Sequence, residues 1–252
     1  MMMKKININW ILGFIEAEGT ISSNKTLKKP VFTITQHIAD YKLMEQIRYF
    51  LKINSFIKFS NRDLTCELAE TNITNLKKNI LPILLDNLYS EKKLYQFNQH
   101  WTPYLNLSSS LNQNKISNDW LLGMVDGDGS FFISIAKSED YKIGYQIRAR
   151  FAIKQINSKI LLEKINNDIF DNKAKIQEDR LIIEDIKIIM EYVLPFFTRN
   201  KLITRKEKDF RLWKEAIYLI NNKEHLEEKG LMKIKNIRLK MNLNRQGIDH
   251  TL

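Results

Sequence analysis

Polar and apolar residues alternate most cleanly over residues 145–154. Tyr145, Ile147, Ala149, Phe151 and Ile153 would share one face of a strand, and Gln146, Arg148, Arg150 and Lys154 the other, with Ala152 between them. Such a strand is half buried and presents hydrogen-bonding side chains on its open side. Residues 43–51 and 160–170 instead carry apolar side chains at helical spacing. Short apolar runs at 56–59 and 64–68 flank Asn61-Arg62-Asp63, and those at 174–177 and 181–183 flank Glu178-Asp179-Arg180; each pair predicts two strands and a turn. Further upstream, a helix is expected at Trp10 and another at Trp120, with Asn9, and Asn118 or Asp119, as N-caps and a glycine closing each helix. A strand follows each, over 20–24 or 130–137. Each half ends in a helix running into Leu-Pro and another carrying Lys93 or Lys206. The predicted order is αββαββα, twice over, in the α+β class.

The doubling is visible residue by residue. Trp10-Ile-Leu-Gly-Phe-Ile-Glu-Ala-Glu-Gly19 returns 110 positions later as Trp120-Leu-Leu-Gly-Met-Val-Asp-Gly-Asp-Gly129. Phe32-Thr-Ile-Thr-Gln36 returns as Phe151-Ala-Ile-Lys-Gln155, Leu81-Pro82 as Leu194-Pro195, Lys93 and Phe97 as Lys206 and Phe210, and Trp101 as Trp213. The chain is therefore a tandem duplication of a unit of about 105 residues. Two copies are too few for a solenoid, so a pseudo-two-fold pair is expected: a first half over residues 1–105, a Ser- and Asn-rich linker over 106–117, and a second half over 118–252. The tail after about residue 221 has no counterpart in the first half, and 230–241 reads as a basic amphipathic helix.

Composition narrows the function. The 252 residues carry 40 Lys plus Arg against 29 Asp plus Glu, a net charge of +11, which suggests a polyanionic partner. The single cysteine, Cys66, excludes a disulfide framework and a Cys-rich zinc site. No apolar run approaches the roughly 18 residues of a membrane span, and the first residues do not read as a signal peptide. Four histidines, His37, His100, His225 and His250, lack ligand spacing. Asp185-Ile-Lys187 resembles half of an acid-x-Lys nuclease site but has no second copy. Ile, Asn and Lys make up 89 residues, and their codons are AT-rich, as in many organellar and mobile-element genes.

The two acidic segments carry the candidate chemistry. Gly13 and Ala17, like Gly123 and Gly127, lie four apart on one helix face, where small residues let two helix backbones approach. Glu16, Glu18, Asp126 and Asp128 fall at the C-terminal ends of these helices, where a carboxylate opposes the helix dipole at about 0.3–1 kcal/mol each. If the helices pack on each other, Glu18 and Asp128 meet near the symmetry axis, and like charges so placed call for a cation. Hard oxygen donors suit Mg²⁺.

These residues resemble the paired motifs of LAGLIDADG homing endonucleases, in the single-chain, double-motif form, and the resemblance covers nearly the whole chain. It implies two pseudo-symmetric half-domains joined through their motif helices, with antiparallel sheets forming a saddle for double-stranded DNA. It also implies divalent-metal-dependent hydrolysis of both strands of a long target across the minor groove, leaving short 3′ overhangs, as in intron or gene homing. By the same resemblance Glu18 and Asp128 bind metal (two or three Mg²⁺ per site), the carbonyls of Ala17 and Gly127 assist, Gln36 and Gln155 order water, and Lys93 and Lys206 stabilise charge. Which of Lys92 and Lys93, and of Arg205 and Lys206, does so stays open. The first motif departs from the family name by carrying Glu at both acid positions. Glu16 and Asp126 read as structural.

Candidate DNA-reading residues are Gln146, Arg148, Arg150, Lys154, Lys173, Lys175 and Gln177 in the second half, and Ser22, Asn24, Lys25, Lys58, Ser60 and Arg62 in the first. Arg pairs with guanine and Gln with adenine, while Lys also serves phosphates. The alternative is a group I intron RNA maturase on the same fold, alone or in addition to cleavage; a non-catalytic repressor would tolerate lost acids, and none is lost. The expected protein is a monomer, from a mitochondrion or another organelle.

Overall fold

The computed structural model describes residues 6–24, 26 and 29–243. Helix α1 (Ile8–Glu18) starts at Asn7, whose side chain accepts the Trp10 N–H at 3.0 Å. Helix α7 (Asn118–Asp128) starts at Ser117, which accepts the Trp120 N–H at 3.2 Å. Neither Asn9 nor Asn118 or Asp119 is the cap: a capping side chain reaches the N–H two or three residues ahead, and the tryptophan occupies that place. Gly19 and Gly129 do end the helices, yet with extended backbone at φ −73° and −71° rather than the left-handed turn. Glycine is needed there because a Cβ would run into Ile15 and Val125 of the preceding turn.

From α1 the chain forms β1 (Gly19–Asn24), β2 (Lys29–His37), α2 (Tyr41–Phe50), β3 (Lys58–Ser60), β4 (Thr65–Glu70), α3 (Ile73–Asn75), α4 (Leu81–Leu84), α5 (Glu91–His100) and α6 (Thr102–Leu105). From α7 it repeats with β5 (Gly129–Lys137), β6 (Tyr145–Lys154), α8 (Lys159–Phe170), β7 (Lys175–Gln177), β8 (Arg180–Ile183), α9 (Ile186–Ile188), α10 (Leu194–Arg199) and α11 (Lys206–Asn221). Helix α12 (Glu228–Leu243) closes the described chain and contains the basic amphipathic segment. In both halves a π-turn (Leu76–Ile80, Ile189–Val193) precedes the Leu-Pro. Proline has no N–H for the ladder and its ring presses on the preceding turn, which widens it.

Two four-stranded antiparallel sheets result, ordered β1-β2-β4-β3 and β5-β6-β8-β7. Each buries one face under helices and leaves the other open. Phe32, Ile34 and Leu68 face inward in the first, and Phe131, Phe151 and Leu181 in the second. Buried Trp101 and Trp213 repeat the same bond, donating Nε1–H to strand carbonyls of Ser22 and Phe132 at 3.2 Å. The segment between the halves is pinned: Asp86 accepts from Ser110 N–H at 2.8 Å, and Asp168 from Ile116 N–H at 3.0 Å.

The halves meet at α1 and α7. A Cβ on Gly13 would overlap the Trp120 carbonyl, and one on Gly123 the Trp10 carbonyl, so the contact is reciprocal. Farther along, Gly127 lies against the Ala17 methyl. Polar ties reinforce the crossing: Asn7 Nδ2 donates to Asp119 at 2.8 Å, the Ile160 N–H to Glu91 at 2.9 Å, and the Arg205 N–H to Asp40 at 3.3 Å. One apolar core runs through both halves.

Gly13→Ala and Gly123→Ala should each destabilise the protein by about 1–3 kcal/mol through overpacking, although alanine favours a helix by about 1 kcal/mol. Urea unfolding measures this; stabilisation by either substitution would contradict the close crossing.

Candidate active site

At the end of the crossing, α1 and α7 deliver Glu18 and Asp128, both half-buried, to one place. Burial, and next the charge of Asp128, push the Glu18 carboxyl up to about 7. Burial likewise raises Asp128, against the pull of Lys206 and a hydrogen bond from Gln155. Gln36, on the inner face of β2, donates from Nε2 to Glu18 Oε1 at 3.3 Å, and Gln155, just beyond β6, donates to Asp128. The glutamines that interrupt the apolar strand faces therefore each hold the second acid of their own motif.

The first acids have a different role. Glu16 and Asp126 are fully buried. Glu16 accepts from the Tyr89 and Ser90 N–H groups and from Ser90 Oγ at 2.5 Å. Asp126 accepts from the Ile203 and Thr204 N–H groups at 3.2 and 3.0 Å, Thr204 Oγ1 at 2.7 Å and, across the interface, Trp10 Nε1 at 2.9 Å. Burial raises both carboxyls, and these donors offset part of its cost. They anchor the starts of α5 and α11, which carry the lysines. The symmetry is broken at Trp120, whose Nε1 has no partner among the described residues and whose ring meets Tyr89 edge-on at 5.2 Å.

Lys93 is 2% exposed and its Nζ donates to the Gly19 carbonyl. Burial lowers its pKa to about 8. Lys206 Nζ donates to the Gly127 carbonyl and to Val125 O at 3.2 Å. Lys92 points to solvent, and Arg205 pairs with Asp40 at 3.8 Å. Ser90 and Thr204, which orient these helices, went unnoticed in the sequence; a Ser or Thr shortly before each repeated lysine was the available signal.

Among the described residues no three His, Cys, Asp or Glu side chains cluster as a metal site. Glu18 and Asp128, with backbone carbonyls beside them, are a two-carboxylate donor set. Mg²⁺ suits such a set, since it is commonly held by one or two carboxylates together with water and substrate phosphates. Burial first, and then the charge of Asp128, raise Glu18, and a cation bound between the two carboxyls would relieve their repulsion.

The open sheet faces flank this centre. On the second sheet Gln146, Arg148, Arg150 and Lys154 of β6 lie on the open side, as the alternation predicts, with Lys175 and Gln177 of β7 exposed beyond. Lys173 is exposed in the loop before β7. Arg180, Ser130 and Phe132 also line this face, in a concavity that reaches Asp128; Arg180 opens β8, whereas the sequence pattern places it in the preceding turn. On the first sheet Ser22 and Asn24 of β1, and Lys58 and Ser60 of β3, face outward, together with Thr20 and Thr33, which the sequence reading missed. Arg62 lies in the β3–β4 turn, and Lys25 lies outside the described residues. Asp185 caps α9 through the Lys187 and Ile188 N–H groups, which accounts for that acid.

The family model for the LAGLIDADG endonuclease matches residues 11–102 and again 121–217, one match per half. The chain belongs to this family. It is 29% identical to "Probable intron-encoded endonuclease 2" of Neurospora crassa over 91% of this chain and 64% of that protein. It is 26% identical to an uncharacterised cox1 intron-2 protein of Schizosaccharomyces pombe over 90% and 70%. The chain thus spans less than two thirds of the length of the Neurospora relative. The fold is that of the I-LtrWI LAGLIDADG homing endonuclease bound to target DNA, at TM-score 0.78 and 24% identity over 94% of this chain and 98% of that one. It is also that of I-SmaMI bound to uncleaved DNA with calcium ions, at 0.77 and 23% over 94% and 99%. The Neurospora relative is named as an endonuclease, and both solved structures are named as bound to DNA. No described helix is long and apolar enough to cross a membrane.

Between pH 4.5 and about 7 the folded chain keeps a proton on Glu18 that the unfolded chain releases. The stability of the cation-free protein should therefore fall as pH rises through this window. Thermal unfolding in EDTA should show this slope, Glu18→Gln should make it shallower, and a divalent cation should restore stability at the upper end. An unchanged slope in Glu18→Gln would contradict the assignment.

Proposed function

We propose that this chain is a site-specific DNA endonuclease of the intron-homing type, acting as a monomer on double-stranded DNA. The observation that carries this reading is the meeting of one carboxylate from each half at the helix crossing, each with its own glutamine and lysine, between two open sheet faces. The working units are two half-domains, residues 1–105 and 118–252, joined by 106–117. Because the duplex has two antiparallel strands, a pseudo-two-fold centre with one acid from each half supplies one cut per strand. Cleavage falls across the minor groove and leaves short 3′ overhangs.

Glu18 and Asp128, assisted by the carbonyls of Ala17 and Gly127, would hold two or three Mg²⁺ ions. When bound, such ions activate water and neutralise charge on the departing 3′ oxygen. The chain's own groups do the rest. Gln36 and Gln155 orient the carboxylates and nearby water. Lys93 and Lys206 place positive charge beside the scissile phosphates, and the lowered pKa of Lys93 lets it exchange a proton near neutrality. Ser22, Asn24, Lys25, Lys58, Ser60 and Arg62 contact one half-site, and Gln146, Arg148, Arg150, Lys154, Lys173, Lys175 and Gln177 the other. The relatives named for cox1 and ND4 introns, together with the abundance of Ile, Asn and Lys, whose codons are AT-rich, support an organellar gene.

In Mg²⁺, the protein should cut a subset of a randomised library of long duplexes. Asp128→Asn should retain that subset by binding and lose cleavage by about 100-fold or more, the scale of removing one main stabiliser of developing charge. Cleavage at the wild-type rate by Asp128→Asn would overturn the reading.

A further inference from the structure

The two open sheet faces differ in chemistry far more than their shared topology requires. On the first, Thr20 faces Thr33 and Ser22 faces Val31 across the strands, and Thr35 and Thr65 continue the surface. These side chains are uncharged and most end in a methyl group. Two cations remain on this face among the described residues: Lys58 sits directly opposite Glu67, which offsets its charge, and Lys29 lies opposite Asn24 at the start of β2. On the second, Arg148 lies opposite Ser134, and Lys154 opposite Arg180, with Lys175 on the next strand. Arg150 is held by Glu184 at 2.5 Å, whereas Arg148 and Arg180 have no side-chain partner among the described residues. Helix α12, absent from the first half, adds Lys235, whose Nζ stands 4.1 Å from the Tyr145 ring centroid at the outer end of β6.

We propose that the two halves read chemically different half-sites: the C-terminal sheet selects guanines through Arg148 and Arg180, and the N-terminal sheet selects thymines through its threonine and valine methyls. The inference rests on the DNA-cleaving role above. Arginine forks onto guanine O6 and N7 in the major groove, and small apolar groups, the threonine methyl included, pack on the thymine 5-methyl. The same asymmetry places most of the sheets' phosphate attraction in the C-terminal half, which anchors the complex. Both arginines are exposed on the open face, so their removal leaves the core intact.

The test is selection of bound duplexes from a random library in Ca²⁺, with the wild type, Arg148→Ala and Arg180→Ala. The wild type should enrich one long site, with G·C preferences in one half and A·T preferences in the other. Each arginine substitution should relax a G·C preference by about tenfold and leave the A·T half unchanged. Replacing thymine by deoxyuridine in the A·T half should weaken binding by about fourfold per lost methyl contact, and in the other half should not. A long site whose preferences neither arginine substitution moves, or equal deoxyuridine effects in both halves, would overturn this inference while leaving the nuclease reading intact. Enrichment of no long site would overturn both.

Discussion

Gly13 and Gly123 let the backbones of α1 and α7 touch, each glycine facing the carbonyl of the other helix's tryptophan. With a Cβ at either position the helices would have to separate, and Ala17 and Gly127 farther along would part as well. Glu18 and Asp128 follow these residues directly, so their proximity is a consequence of the crossing. So is the placement of the sheets, because β1 and β5 leave the helix ends at Gly19 and Gly129. The spacing of small residues thus fixes the interface, the carboxylate pair and the separation of the two open faces together.

Within each motif the two acids divide the work by depth. The first is fully buried and spends its charge on backbone and hydroxyl donors that anchor the lysine-bearing helix. The second is half-buried beside its counterpart, and burial together with the neighbouring carboxylate outweighs the pull of its glutamine and the two lysines, which leaves Glu18 raised to about 7. A buried carboxylate with several donors is settled; a half-buried one facing another carboxylate is ready for a cation. This difference gives two acids two residues apart separate roles in one short helix.

Much of this was legible in the sequence because the chain states it twice. The repeated Trp, Gly, acid, Gln and Lys positions marked the helix crossing and the residues around it, and the alternation over 145–154 gave β6 and its open face. What escaped depended on neighbours distant in sequence. The true N-caps at Asn7 and Ser117 were hidden among other capping residues. Ser90 and Thr204 gain meaning only when α5 and α11 dock on the buried acids. Arg180 joined the open face because β8 begins one residue earlier than its apolar run. Trp10 Nε1 reaches Asp126, whereas Trp120 Nε1 finds no partner among the described residues, an asymmetry that spacing alone does not reveal.

The central claim is that Glu18 and Asp128 form one cation site shared by two halves. Mn²⁺ binding, followed by electron paramagnetic resonance for the wild type, Glu18→Gln, Asp128→Asn and the double variant, tests it most directly. The account predicts that either single substitution removes nearly as much binding as both together. Additive losses, with each single variant keeping half of the bound Mn²⁺, would show two independent sites and contradict it.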